Sequence, residues 1–206
     1  MALEAIDKYI DYAIEIEPLP GEAASGDFGL VRIIDKKMLI AAIDVAGHGK
    51  NAATIANKMQ LFLEKKQMGN LTQLVEDFHY EFKGSRGCVG SFGLLDFETM
   101  VFNYIGVGNI CAQIIGENKK KFINQPGIIG YVLPHLKEKN IKIKKSDILL
   151  FYSDGIKEFF QLRELTEMAC LKSSTLTNTI LTNFKKDTDD AMCIVVKFLE
   201  CKILEL

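Results

Sequence analysis

Ser25-Gly26-Asp27-Phe28-Gly29-Leu30 and, one turn later, Met38-Leu39-Ile40-Ala41-Ala42-Ile43-Asp44-Val45-Ala46-Gly47-His48-Gly49-Lys50 are two apolar runs of strand length, each with an aspartate at a strand end. The second run opens into a Gly-x-Gly turn followed by a helical pattern. An aspartate in such apolar surroundings is costly unless something neutralises its charge. The same arrangement occurs twice more: Asp147-Ile148-Leu149-Leu150-Phe151-Tyr152-Ser153-Asp154-Gly155 ends a strand on Asp-Gly, and Thr188-Asp189-Asp190 directly precedes the apolar run Ala191 to Phe198. Taken singly, each aspartate fits a turn residue. Four carboxylates at the ends of four strands, with no histidine or cysteine set beside them, point to oxygen ligands for a hard cation. The glycines after Asp44 let the backbone fold back and present a carbonyl near the carboxylate.

Toward the N-terminus, Ile10, Tyr12, Ile14 and Ile16 alternate with Asp11, Ala13 and Glu15, which predicts a half-buried strand closed by Pro18 and Pro20-Gly21. Phe28 to Ile34 and Met38 to Val45 form a hairpin around Asp35-Lys36-Lys37. Beyond it, Ala52, Ile55, Ala56, Met59, Phe62 and Leu63 have helical spacing, as do Leu71, Leu74, Val75, Phe78 and Phe82. Cys88 to Leu95, Thr99 to Val107 and Cys111 to Gly116 are separated by short turns and predict an antiparallel meander. A loop rich in glycine and proline, Pro126 to Pro134, leads to the Asp147 to Ser153 strand. Helical segments are expected at about 156–160, 163–171 and 176–184 before the last strand. Strands outnumber helices and come mostly as hairpins, so the fold class is α+β with antiparallel sheets.

The 206 residues fit a single domain, residues 1–206, with 48% hydrophobic and 25% charged residues and a formal net charge of −2. The lysine clusters at 119–121, 142–145 and 185–186 are short and scattered, which argues for solvated turns and strand edges and no nucleic acid partner. Five widely spaced cysteines without a C-x-x-C pair argue against a disulfide framework or structural zinc site. With no leader pattern and no apolar run of spanning length, no membrane association and a cytoplasmic location are expected.

Gly47-His48-Gly49-Lys50 lacks the glycine and the serine or threonine of a phosphate-binding P-loop, where Asp44 and Asn51 stand. Val89-Gly90-Ser91-Phe92-Gly93 has valine in place of the first glycine of a nucleophile elbow. Gly26-Asp27, Asp44-Val45-Ala46-Gly47-His48-Gly49, Ser153-Asp154-Gly155 and Asp189-Asp190, in that order, resemble the metal-dependent type 2C (PPM-type) protein serine/threonine phosphatases. They are most similar to the SpoIIE-like branch and its stand-alone RsbX type. The resemblance covers nearly the whole chain.

It implies an α-β-β-α sandwich of two antiparallel sheets flanked by helices, with two divalent metal ions, manganese or magnesium, at one end. By matching positions, Asp44 is expected to bridge both metals, the Val45 carbonyl to bind one, Asp154 with Asp189 to hold the other, and Asp27 to act nearby through water. The implied reaction is hydrolysis of phosphoserine or phosphothreonine by water activated at the metals. The implied partner is a phosphorylated regulatory protein of a stress-response or sigma-factor partner-switching pathway. Two positions depart from the family pattern: Val45 stands where glycine is common, and Met192 where threonine is usual. Met192 keeps open a second reading, a catalytically silent phosphatase-like binding module. Asp190 is expected to support Asp189, His48 stands outside the catalytic set, and the loop from Asn124 to Lys139, with Ile128, Ile129, Tyr131, Val132 and Leu133, is expected either to form part of the surface that meets the protein substrate or to pack these residues in the core.

Overall fold

The computed structural model describes residues 10–157 and 170–199. The strands are β1 (Ile10–Glu17), β2 (Asp27–Ile34), β3 (Lys37–Val45), β4 (Cys88–Asp96), β5 (Val101–Val107), β6 (Cys111–Ile115), β7 (Lys120–Lys121), β8 (Lys139–Lys142), β9 (Ile148–Tyr152) and β10 (Ala191–Phe198). Helices α1 (Gly49–Lys65) and α2 (Leu71–Glu81) follow β3, and α3 (Ser173–Phe184) precedes β10. The strands form two five-stranded antiparallel sheets, ordered β1-β10-β9-β6-β7 and β2-β3-β4-β5-β8.

The period-two pattern assigns each strand face to a layer. Met38, Ile40 and Ala42 of β3 meet Met192, Ile194 and Val196 of β10 in the core between the sheets, where Phe102, Tyr104 and Phe151 also pack. The alternate residues Leu39, Ala41 and Ile43 face α1 and α2, packing with Ala52, Met59 and Phe78. On the far side, Cys193, Val195 and Leu150 pack against Leu176 and Ile180 of α3. The layers are therefore α-β-β-α, as the family resemblance implies.

The expected meander is broken between β5 and β6. β5 pairs with β4 and β8, whereas β6 pairs with β9 and β7 in the other sheet. Backbone groups in the crossing find their partners in residues 124–125: Gly108 N–H donates to the Gln125 carbonyl (2.9 Å), and Asn124 Nδ2 donates to the Ile110 carbonyl (2.6 Å). Once those groups are satisfied, a short link between strands need not close a hairpin. The sequence reading also misses β7 and β8, two short edge strands that carry Lys120, Lys121, Lys139 and Lys142. Lysine on a sheet edge discourages pairing with another chain. Of the expected helical segments at 156–160 and 163–171, residues 158–169 lie outside the described residues, and Ile156 forms an antiparallel bridge to Lys185. The loop between β7 and β8 is tied to α2 by His79, whose Nδ1 accepts the Gly130 N–H (2.9 Å).

Phe102 of one sheet lies 6.4 Å from Phe151 of the other, ring centre to ring centre, and is fully buried. Phe102→Ala is expected to destabilise the protein by about 3–5 kcal/mol, the usual cost of emptying a large aromatic site. Urea unfolding measures the loss; a change below about 1 kcal/mol would show that the sheets collapse to fill the space.

Candidate metal centre

The strand pattern that fills the core also places acids at one end of it. Asp27 and Asp44 are cross-strand partners in β2 and β3. By parity, they share the face of Ala42 that looks into the gap between the sheets. Ser153 follows β9, and Asp190 precedes β10, on the corresponding face of the other sheet. Asp154 stands in the turn after β9, Asp189 in the bend before β10, and Val45 at the end of β3. The five residues expected from the sequence thus come together from four strand ends.

The electrostatics report the same convergence. Burial and then the neighbouring Asp44 charge hold Asp27 well above the usual carboxylate range, against a hydrogen bond from Ser153 that pulls it down. Burial, then Asp154 and Asp189, push Asp44 up to about 7. Asp154 is raised by burial and Asp189, an effect moderated by Lys186 and Asn109. Like charges this close disfavour simultaneous ionisation unless a cation neutralises them.

Several residues besides the five shape the site. Asp190 is buried, and its two oxygens accept the Leu19 and Gly26 N–H groups, each at 2.7 Å. That clamp joins the start of β10 to the approach of β2. The backbone N–H of Asp190 in turn donates to Asp189 Oδ1 (2.9 Å), so support runs between neighbours. Asn109, in the crossing after β5, donates to Asp154 Oδ2 at 2.7 Å. Lys186 Nζ donates to the Asp154 carbonyl at 2.5 Å. Asn109 carries no local sequence signal, since only the crossing brings it to Asp154. Glu22, by contrast, lies in the Pro20-Gly21-Glu22 turn that precedes the first motif. It approaches Gly49 at the start of α1, and its Oε1 accepts from His48 Nδ1 (2.8 Å). No acid lies in the first turn of α1, so a carboxylate from a distant loop complements its N-terminus.

Two glycines are required by close approaches. A Cβ on Gly26 would come within 3.1 Å of the Val45 carbonyl oxygen and 2.9 Å of that of Gly47, and one on Gly155 would overlap the Asp190 carbonyl at 1.8 Å. Ser91 is fully buried and hydrogen-bonded to Tyr104 Oη (2.8 Å), which removes it as a nucleophile. The Met192 side chain lies in the core between the sheets and not in the site.

The donor set is wholly oxygen, and the buried Asp27 Oδ2 has no hydrogen-bond partner. A buried carboxylate oxygen without a donor is a place for a cation. Among the described residues no three acidic, histidine or cysteine side chains close as a ready cage.

Two stacked antiparallel sheets with acids gathered at one end define the type 2C phosphatase fold. A crystal structure of RsbX with magnesium superposes with a TM-score of 0.81 at 19% identity, covering 93% of this chain and 96% of that one. A structure of the bacterial stressosome, described as a modular system adapted to control secondary messenger signalling, contains a chain matching at TM-score 0.85 and 28% identity, with 91% and 99% covered. The family model described as Stage II sporulation protein E (SpoIIE) matches residues 34–199, and the chain belongs to that family. Among curated relatives, the phosphoserine phosphatase RsbX of Bacillus subtilis (strain 168) is 23% identical over 139 residues, 66% of this chain and 69% of RsbX.

The raised carboxylates give a pH dependence with a definite sign. A folded-state pKa of about 7 for Asp44, against 3.8 ordinarily, means that the folded protein holds more protons between those values. Metal-free protein should therefore be most stable near the lower limit and lose stability as pH rises through that window. Thermal melts in EDTA from pH 5 to pH 8 should show a falling Tm; a Tm rising with pH would mean that the carboxylates do not repel one another.

Proposed function

We propose that this chain is a metal-dependent protein phosphatase that hydrolyses phosphoserine or phosphothreonine on a regulatory protein of a stress-response or sigma-factor partner-switching pathway, with residues 1–206 as one catalytic domain. The observation that carries this reading is the convergence of Asp27, Asp44, Asp154 and Asp189 around the unpartnered Asp27 oxygen in a chain of the SpoIIE family. RsbX, named a phosphoserine phosphatase and crystallised with magnesium, lends the substrate class and the type of ion.

Two divalent ions, magnesium or manganese, would be held by Asp44, the Val45 carbonyl, Asp154 and Asp189, with Asp27 close by. When bound, such ions neutralise phosphoryl oxygens and lower the pKa of water, so no side-chain nucleophile is needed. The remaining work is positional. Asn109 fixes Asp154, the Asp190 clamp fixes the backbone entering Asp27, and Ser153 directs its hydroxyl to Asp27. Catalysis then depends on preorganised orientation and charge.

Asp44→Asn or Asp154→Asn is expected to lower manganese-dependent hydrolysis of an aryl phosphate by more than the 10–100-fold typical of losing a supporting partner. Each metal-free variant should melt at or above the wild-type temperature, because repulsion is relieved. Near-normal turnover by either variant would defeat the assignment.

Manganese or magnesium should raise the melting temperature of the wild-type protein and EDTA should reverse it. The expected stabilisation is about 2.7 kcal/mol at a hundredfold excess over the dissociation constant. Indifference to both additions would return the four aspartates to turn residues.

A further inference from the structure

We infer that Arg86 binds the phosphoryl group of the substrate at the rim of the carboxylate cluster, a role that rests on the phosphatase reading above. Arg86 lies in the loop between α2 and β4, one residue before Gly87, whose carbonyl accepts the Ala46 N–H (3.1 Å). This pairing puts Arg86 beside the turn that follows Asp44 and Val45. Its Nη1 donates one hydrogen bond to the Ala46 carbonyl, at 3.3 Å. It also lies over Gly47: a Cβ there would be 2.5 Å from Nη1, so the absence of a side chain at Gly47 leaves the guanidinium its place.

Among the described residues no carboxylate lies within 4.0 Å of the Arg86 guanidinium, although acids dominate this end of the fold. Lys186, beside Asp154, is already engaged with the Asp154 carbonyl. Arg86 is exposed, permanently charged, and keeps most of its five donors for a ligand. A phosphate monoester supplies what that fork recognises: a doubly charged group with several oxygens that can accept two parallel hydrogen bonds.

The same loop continues into apolar surface. A Cβ on Gly87 would come within 2.6 Å of Ile128 Cγ2 and 3.9 Å of Tyr131 Cβ, and Tyr131 and Val132 are 72% and 58% exposed. The guanidinium thus stands between the turn after Asp44 and an exposed apolar stretch of loop suited to residues flanking a phosphorylated side chain. A hydrogen bond that merely braces the Ala46–Gly47 turn is the competing role, and it makes a different prediction. Bracing would act on the Val45 carbonyl and so on metal affinity, whereas an anion site acts on phosphate.

The test compares wild type, Arg86→Lys and Arg86→Ala in manganese-loaded full-length protein. Calorimetric binding of inorganic phosphate is measured alongside KM and kcat for a phosphoserine peptide and an aryl phosphate. Manganese affinity is read separately from the metal-induced shift in Tm. Arg86→Ala should weaken phosphate binding and raise peptide KM by about tenfold or more, with Arg86→Lys intermediate. The manganese-induced shift should stay at the wild-type value. Phosphate affinity unchanged in Arg86→Ala, or a loss matched by an equal loss of manganese affinity, overturns the inference. Arg86-dependent phosphate binding by a wild-type protein without hydrolytic activity would support the anion site while sinking the catalytic reading. Weakening for the peptide but not for free phosphate would place Arg86 on the protein part of the substrate and overturn its role on the phosphoryl group.

Discussion

Mutual repulsion among carboxylates at one end of the gap between the sheets is the constraint on which the rest of the structure depends. Asp27 and Asp44 would move apart if the chain allowed it, since burial removes much of the water that would screen them from each other and from Asp154. Three devices prevent separation. The β2–β3 register fixes Asp27 opposite Asp44, the Asp190 carboxylate clamps Leu19 and Gly26, and Ser153 and Met192 exchange hydrogen bonds of 3.1 and 2.9 Å at the mouth of β9 and β10. The core between the sheets, with Phe102, Tyr104 and Phe151 at its middle, supplies the apolar burial that offsets this stored repulsion. Stability is thus given up at one end, where a cation can restore it, and recovered in the middle.

The Asp190 clamp is central because it joins sheets that the chain connects only distantly. Its bond to Gly26 spans 164 residues of sequence. Two short charge-assisted bonds to backbone N–H groups leave that carboxylate fully occupied, so neighbouring aspartates divide the work: Asp189 faces the open site and Asp190 holds the frame. The pair looks redundant in sequence and is complementary in space.

Much of this was legible in the sequence, for reasons that particular residues make clear. Period two shows in β1, where apolar and polar residues alternate, whereas β3 and β10 bury both faces and read as continuous apolar runs, and α1 and α2 show their buried stripe in Ala52, Ala56, Met59 and Leu71, Val75, Phe78. The four aspartates were visible because each ends a strand. The crossing from β5 to β6 was not, because Gly108-Asn109 is short enough for a hairpin, and the partners that prevent one, Asn124 and Gln125, come later in the chain. β7 and β8 carry no apolar alternation. Arg86 carries no local sequence signal, because Ala46, which it meets, is 40 residues away.

Met192 shows how a departure from a family pattern can be judged by direction instead of identity. The residue falls on the face of β10 that carries Ile194 and Val196, so its side chain enters the core, where a thioether packs better than a hydroxyl. Its contribution to the site is made by the backbone: its N–H donates to the Ser153 hydroxyl and its carbonyl accepts the Ser153 N–H. Any residue with a backbone N–H can supply both bonds. The Ser153 hydroxyl, held this way, still reaches Asp27. The feature that kept a catalytically silent reading open is therefore a core substitution, and the carboxylates around it stay in register.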